Sequence, residues 1–63
     1  MTTDAEPLLT SREVAALLRV SAATLSRWRD RGDGPAWLEL APGIPRYEAD
    51  VIARWREDRR RER

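Results

Sequence analysis

The chain has 63 residues, and twelve Lys or Arg positions against eleven Asp or Glu leave a formal net charge of only +1. A chain this short makes at most one domain and buries only about 60% of the surface its unfolded form exposes, so its core must be economical. It contains no cysteine and no histidine, which excludes disulfides, thiol chemistry and the usual zinc ligands, and no stretch approaches the roughly 20 apolar residues of a membrane span.

Residues 1–7 lack hydrophobic periodicity, carry Asp4 and Glu6 and end in Pro7; a mobile segment is expected there. Leu8 and Leu9 read as core residues, with Leu9 placed to staple against Val14 across a helix start. Thr10 and Glu13 have the spacing of a capping box, which begins a helix over residues 11–18 with Val14, Leu17 and Leu18 as its apolar stripe. Ala15 is small enough to let a second helix cross closely. Arg19 and Val20 make the corner. Ser21 caps a helix over residues 22–31 that turns Leu25 and Trp28 inward, and Gly32 is its left-handed stop.

Asp33, Gly34 and Pro35 turn the chain, residues 37–40 read as a strand, Ala41 to Gly43 turn it back, and residues 44–47 return. Pro45 cannot donate to a ladder, so it belongs on an outer edge or at the irregular end of this hairpin. The last helix starts near Glu48, has acids in its first turn and arginines crowding its end, and turns Val51, Ile52 and Trp55 inward. Trp28, Trp37 and Tyr47 join the core, Trp37 being the least enclosed. The expected fold is mainly α, a winged helix-turn-helix of three helices with a short two-stranded β-hairpin wing between helices two and three. It spans residues 8–58, and residues 59–63 form a frayed, arginine-rich tail whose neighbourhood nearly balances in charge.

With a near-neutral total, any nucleic-acid partner must be read from where the charges lie. All twelve basic residues are arginine, the better bidentate partner of guanine and phosphate. Projecting the second helix at about 100° per residue sends Ala23, Ser26, Arg27 and Asp30 outward, with Thr24 and Arg31 on one flank and Ala22 and Arg29 on the other. Recognition helices enter the major groove by their N-terminal end, where open amides and the helix dipole meet phosphate. The candidate DNA-contacting residues are therefore Ser21, Ala23, Thr24, Ser26, Arg27 and Arg31 on the helix and Arg46 on the wing, where Tyr47 faces the core. The bland alternatives are an Arg27 paired with Asp30 one turn on and an Arg46 that is only a solvated edge charge. The tryptophans are better placed as core than as platforms for single-stranded bases, which need aromatics on an open face.

The segments LLTSREVAALLRVSAATLSRW, RGDGPAW and IPRYEADVIARW, in that order, resemble the small winged-helix proteins of the excisionase and MerR-like group over most of the chain. The resemblance implies a DNA-binding module with helix two in the major groove and the wing on backbone or minor groove. In excisionases it also implies cooperative binding to repeated sites that bends DNA. By position, Ser21, Thr24, Ser26 and Arg27 match the family's recognition helix and Arg46 its wing arginine. The chain departs from the pattern at three places. Arg19 stands where many relatives have glycine and so occupies a strained or altered turn, Ala22 and Ala23 replace often polar or basic positions and favour shape and phosphate contacts, and Pro45 replaces an extended apolar residue.

The leading expectation is an excisionase-type architectural factor of a phage or mobile element, cytoplasmic and nucleoid-associated. Its partners would be double-stranded DNA, a phage integrase or recombinase, and neighbouring copies of itself on DNA. A small phage or bacterial transcriptional regulator is the nearest rival. A protein-interaction module with weak DNA affinity is the rival from another class, which the low net charge, Asp30 and Asp33 permit. Catalysis, a metal and a cofactor are not expected, since the carboxylates are scattered among arginines with no histidine, cysteine or lysine beside them.

Overall fold

The computed structural model describes residues 8–61; the mobility expected of residues 1–7, and the last two residues of the tail, lie outside them. In chain order the elements are β1 (Leu8–Leu9), α1 (Ser11–Leu18), α2 (Ala22–Arg31), β2 (Leu38–Ala41), β3 (Ile44–Glu48) and α3 (Ala49–Arg61). Three helices with an antiparallel hairpin between the second and third are thus in place.

Local chemistry sets both helix starts and both helix-turn-helix stops. The Thr10 hydroxyl accepts from the Glu13 amide at 3.1 Å while Glu13 Oε1 accepts from the Thr10 amide at 2.9 Å, a complete capping box worth about 1 kcal/mol over an uncapped start. Ser21 accepts from the Thr24 amide at 3.0 Å. Each helix then closes with a left-handed residue and a paired reversal of its last carbonyls. In α1 the Arg19 amide reaches Ala16 and the Val20 amide reaches Ala15; in α2 the Gly32 amide reaches Arg29 and the Asp33 amide reaches Trp28. This is the Schellman arrangement. Gly32 takes its φ of 77° at no steric cost, whereas Arg19 holds φ 61° with a Cβ, a conformation that costs an L-residue roughly 1–2 kcal/mol.

Four of the elements contribute to one core of Val14, Ala15, Leu25, Tyr47 and Ile52, with Leu9, Leu18, Val20 and Trp28 packed around it. Leu17 is not part of it. It is 46% exposed, against the expectation from its place in the apolar stripe. Buried Ala15, with Val14, sets the inward direction of α1, Leu18 falls between them, and the helical period turns Leu17 onto the flank. Leu8 likewise stays largely exposed while Leu9 packs against the core.

These two leucines form a strand that the sequence reading did not contain. Leu8 pairs with Glu48 and Leu9 with Tyr47, antiparallel, so the sheet has three strands in the order β1-β3-β2. The hairpin pairs Leu38 with Arg46, Glu39 with Pro45 and Ala41 with Ile44, and the register slips between Glu39 and Ala41. Although β3 is central, β1 covers only its last two residues. At Pro45 the strand has β2 alone as a neighbour, the edge-like, irregular place that a residue without an N–H requires. The tip is closed by the Gly43 amide, which donates to Glu39 Oε2 at 3.2 Å.

Aromatic packing fixes the remaining pieces. Trp28 and Trp55 meet with ring centroids 5.7 Å apart at 49°, joining α2 to α3 in the tilted geometry that aromatic pairs prefer. Gly34, at φ 77°, lies flat on Trp28: a Cβ there would stand 2.6 Å from Trp28 Cε3. The loop after α2 is therefore pressed onto the helix it leaves, with Pro35 buried behind it.

Candidate nucleic-acid interface

The N-terminal turn of α2 presents a hydrogen-bonded row of polar side chains. The Ser21 and Thr24 hydroxyls are 3.0 Å apart, and Arg27 Nη2 donates to Thr24 Oγ1 at 3.4 Å. Residues three apart on a helix are neighbours on its surface, so Ser21, Thr24 and Arg27 form one continuous edge. Ser21 and Arg27 are exposed and Thr24 is half-buried. Beside this edge stand Ala23 and Ser26, both exposed. Because Ser21 caps at the Thr24 amide, the amides ahead of it at Ala22 and Ala23 remain open at the positive end of the helix dipole, where phosphate binds. The methyl groups of Ala22 and Ala23 let an approaching backbone or base come close without a side chain in the way.

Arg27 makes no ion pair with Asp30 among the described residues; its contact is to Thr24. Its guanidinium is steadied by a neutral hydroxyl and keeps its charge uncompensated. Arg31 differs. Its Nη2 lies 2.9 Å from Asp33 Oδ2 and its Nε donates to the same oxygen at 3.1 Å, so any phosphate must compete with a carboxylate already in place. Arg46, half-buried on β3, donates from Nη1 to the carbonyl of Pro45 at 2.8 Å. It runs along the wing with no carboxylate partner among the described residues. The structure thus brings Ser21, Ala23, Thr24, Ser26 and Arg27 together on one helical surface, ties Arg31 to the exit turn and places Arg46 on the wing.

A helix-turn-helix domain model matches residues 8–60, the span from β1 almost to the end of α3. The chain belongs to this helix-turn-helix family. The family includes excisionase-like DNA-binding domains, and a helix-turn-helix domain of this kind suggests DNA binding. No curated protein and no solved structure matches it significantly. Among the described residues, no helix is long and apolar enough to cross a membrane.

One residue central to this helix-turn-helix domain escaped the sequence reading. The helical projection puts Arg29 on a flank of α2, but its Nη1 donates to Tyr47 Oη at 2.9 Å and to Ser11 Oγ at 3.1 Å, and its guanidinium sits 5.6 Å from the centre of the Trp37 ring. A single half-buried cation therefore joins α2 to the first turn of α1, to β3 and to the start of the wing. Tyr47 is the neighbour of Arg46, so the Arg29–Tyr47 bond ties α2 to the strand that carries Arg46. The only sequence signal was the polar tip of a core tyrosine, which when buried requires a partner.

Proposed function

We propose that this helix-turn-helix domain binds double-stranded DNA as an excisionase-type architectural factor. Helix α2 enters the major groove by its Ser21 end, and Arg46 on the wing grips backbone or minor groove. The observation that carries the reading is the Ser21–Thr24–Arg27 edge: an exposed, hydrogen-bonded polar row ending in an uncompensated guanidinium, beside open amides at a helix start. Ala23 and Ser26 complete the contact surface, and Arg31 joins it only by exchanging Asp33 for phosphate. With two alanines where base-reading side chains would stand, specificity rests largely on DNA shape and phosphate geometry. Filling of repeated sites by neighbouring copies, bending of the DNA and support of a recombinase in excision are parts of the same proposal, carried by the resemblance of the chain to excisionases.

The test is a gel-shift titration on fragments flanking the gene, with random DNA as control, at several salt concentrations. Phosphate contacts require affinity to fall with salt. Successive cooperative bands on one fragment support the architectural reading. A single complex at a promoter assigns the domain to transcriptional regulation instead, and no shift at low salt removes DNA as the partner.

A further inference from the structure

The helix-turn-helix corner, Trp28 of α2 and α3 line an open groove of about 580 Å³. Its apolar lining is Leu17, Leu18, Val20, Trp28 and Trp55, and its charged lining is Arg19, Arg56, Arg59 and Arg60. No carboxylate lines it among the described residues. We propose that this groove is a docking site for a protein segment that carries an aliphatic or aromatic anchor flanked by carboxylates.

Three observations carry this, none of which depends on the DNA reading. The first is charge sorting. Along the sequence the arginines of α3 alternate with Glu57 and Asp58, yet the helix places Arg56, Arg59 and Arg60 beside Trp55 in the groove and leaves both acids outside it. Arg56 and Arg60, like charges one turn apart, repel, and an anionic occupant removes that repulsion. The second is Leu17, a large apolar side chain that α1 leaves 46% exposed at the groove wall. The third is Arg19, which accepts a left-handed backbone that glycine would adopt freely and directs its side chain to this same rim. Held strain of this kind points to a use for the residue.

The chemistry selects a peptide over nucleic acid. A phosphate backbone would satisfy the arginines but leave the apolar floor unfilled. Stacked bases need open ring faces, whereas Trp55 packs against Trp28 and has Arg59 over its ring at 4.8 Å. Apolar anchors between acidic residues satisfy floor and rim together, in the manner of a helix or extended segment lying in a groove.

A display library of random 12-residue peptides selected against the full chain tests the proposal. Selected sequences should place Asp or Glu on both sides of Leu, Ile, Phe or Trp. A synthetic copy should lose at least tenfold in affinity for Leu17→Glu and for the Arg56→Ala/Arg60→Ala double variant, both altered at exposed positions, with DNA affinity unchanged. Absence of enrichment, or peptide binding indifferent to both variants, overturns the proposal. So does a loss of DNA affinity in the arginine variant with no effect on peptide, which would assign these arginines to phosphate.

Discussion

Removing the bond between Arg29 and Tyr47 measures how firmly α2 is tied to the wing. Tyr47 is 1% exposed, and its hydroxyl receives Arg29 Nη1 at 2.9 Å. Arg29→Met keeps an unbranched stem near Trp37 but removes the fork. It leaves the Tyr47 hydroxyl without its donor, at about 1–3 kcal/mol for a buried polar group. Tyr47→Phe removes the other end; Arg29 keeps Ser11 and partial access to water, so about 1 kcal/mol is expected. Once either partner is gone the second substitution has less to remove, and the double variant should fall short of the sum by about 1–2 kcal/mol. A domain of this size has on the order of 3–9 kcal/mol in total. Urea unfolding followed by far-ultraviolet circular dichroism at low temperature keeps all four proteins measurable, and avoids the Trp37 fluorescence that the substitution itself would change. Strict additivity, with coupling below about 0.3 kcal/mol, would refute the claim that this contact holds α2 to β3.

Three further outcomes follow from the same geometry. Gly34→Ala should cost about 2–4 kcal/mol, combining a left-handed backbone with a clash on Trp28, while Gly43→Ala, at the same φ of 77° but with open space around it, should cost about 1 kcal/mol; equal losses in urea unfolding would remove the close approach as a cause. Leu17→Ala should change stability by less than about 1 kcal/mol and Leu25→Ala by about 2–5 kcal/mol, and comparable losses would mean that Leu17 belongs to the core after all. Arg27→Ala and Arg46→Ala should each weaken DNA binding by about 1–3 kcal/mol in fluorescence anisotropy, with preference for the specific site relaxing more for Arg27; uniform losses on specific and random DNA for both would dissolve that division.

Local signals made most of the architecture legible. Thr10 with Glu13, Ser21 and Gly32 each act within one helical turn, and the structure puts all three where their chemistry requires. Arg19 was also legible as a problem, because a corner that suits glycine forces a Cβ into the left-handed region. What the sequence left unread depends on separation along the chain. The pairing of Leu8 and Leu9 with residues of β3 spans most of the domain, and a two-residue strand has no period to detect. Leu17 lies off the core because the small Ala15, not the large residues of the stripe, marks the inward direction of α1. Arg29 looked like one more surface arginine, and only the fold brings Ser11 and Tyr47 to it. The end of α3 is nearly balanced in charge along the sequence, yet Arg56, Arg59 and Arg60 share the groove side while Glu57 and Asp58 lie outside it.

These placements divide the work around α2. Leu25 faces the core, Trp28 turns toward α3 and the arginine-rimmed groove, and Arg29 turns toward Ser11, Tyr47 and the wing. Three sides of one short helix are thereby committed to holding its neighbours. The side left over carries Ala23, Ser26 and Arg27, with Thr24 bridging from Ser21. In a core cluster of five buried side chains among the described residues, such fixing by peripheral contacts matters more than in a larger domain, because apolar burial alone leaves little to resist tilting of the helix. If α2 tilts, Arg27 moves relative to Arg46, and under the proposed mode of binding the two then no longer address a single stretch of duplex. Weakening Arg29 should for this reason reduce the affinity that Arg46 contributes, although Arg29 itself stands behind the proposed contact surface.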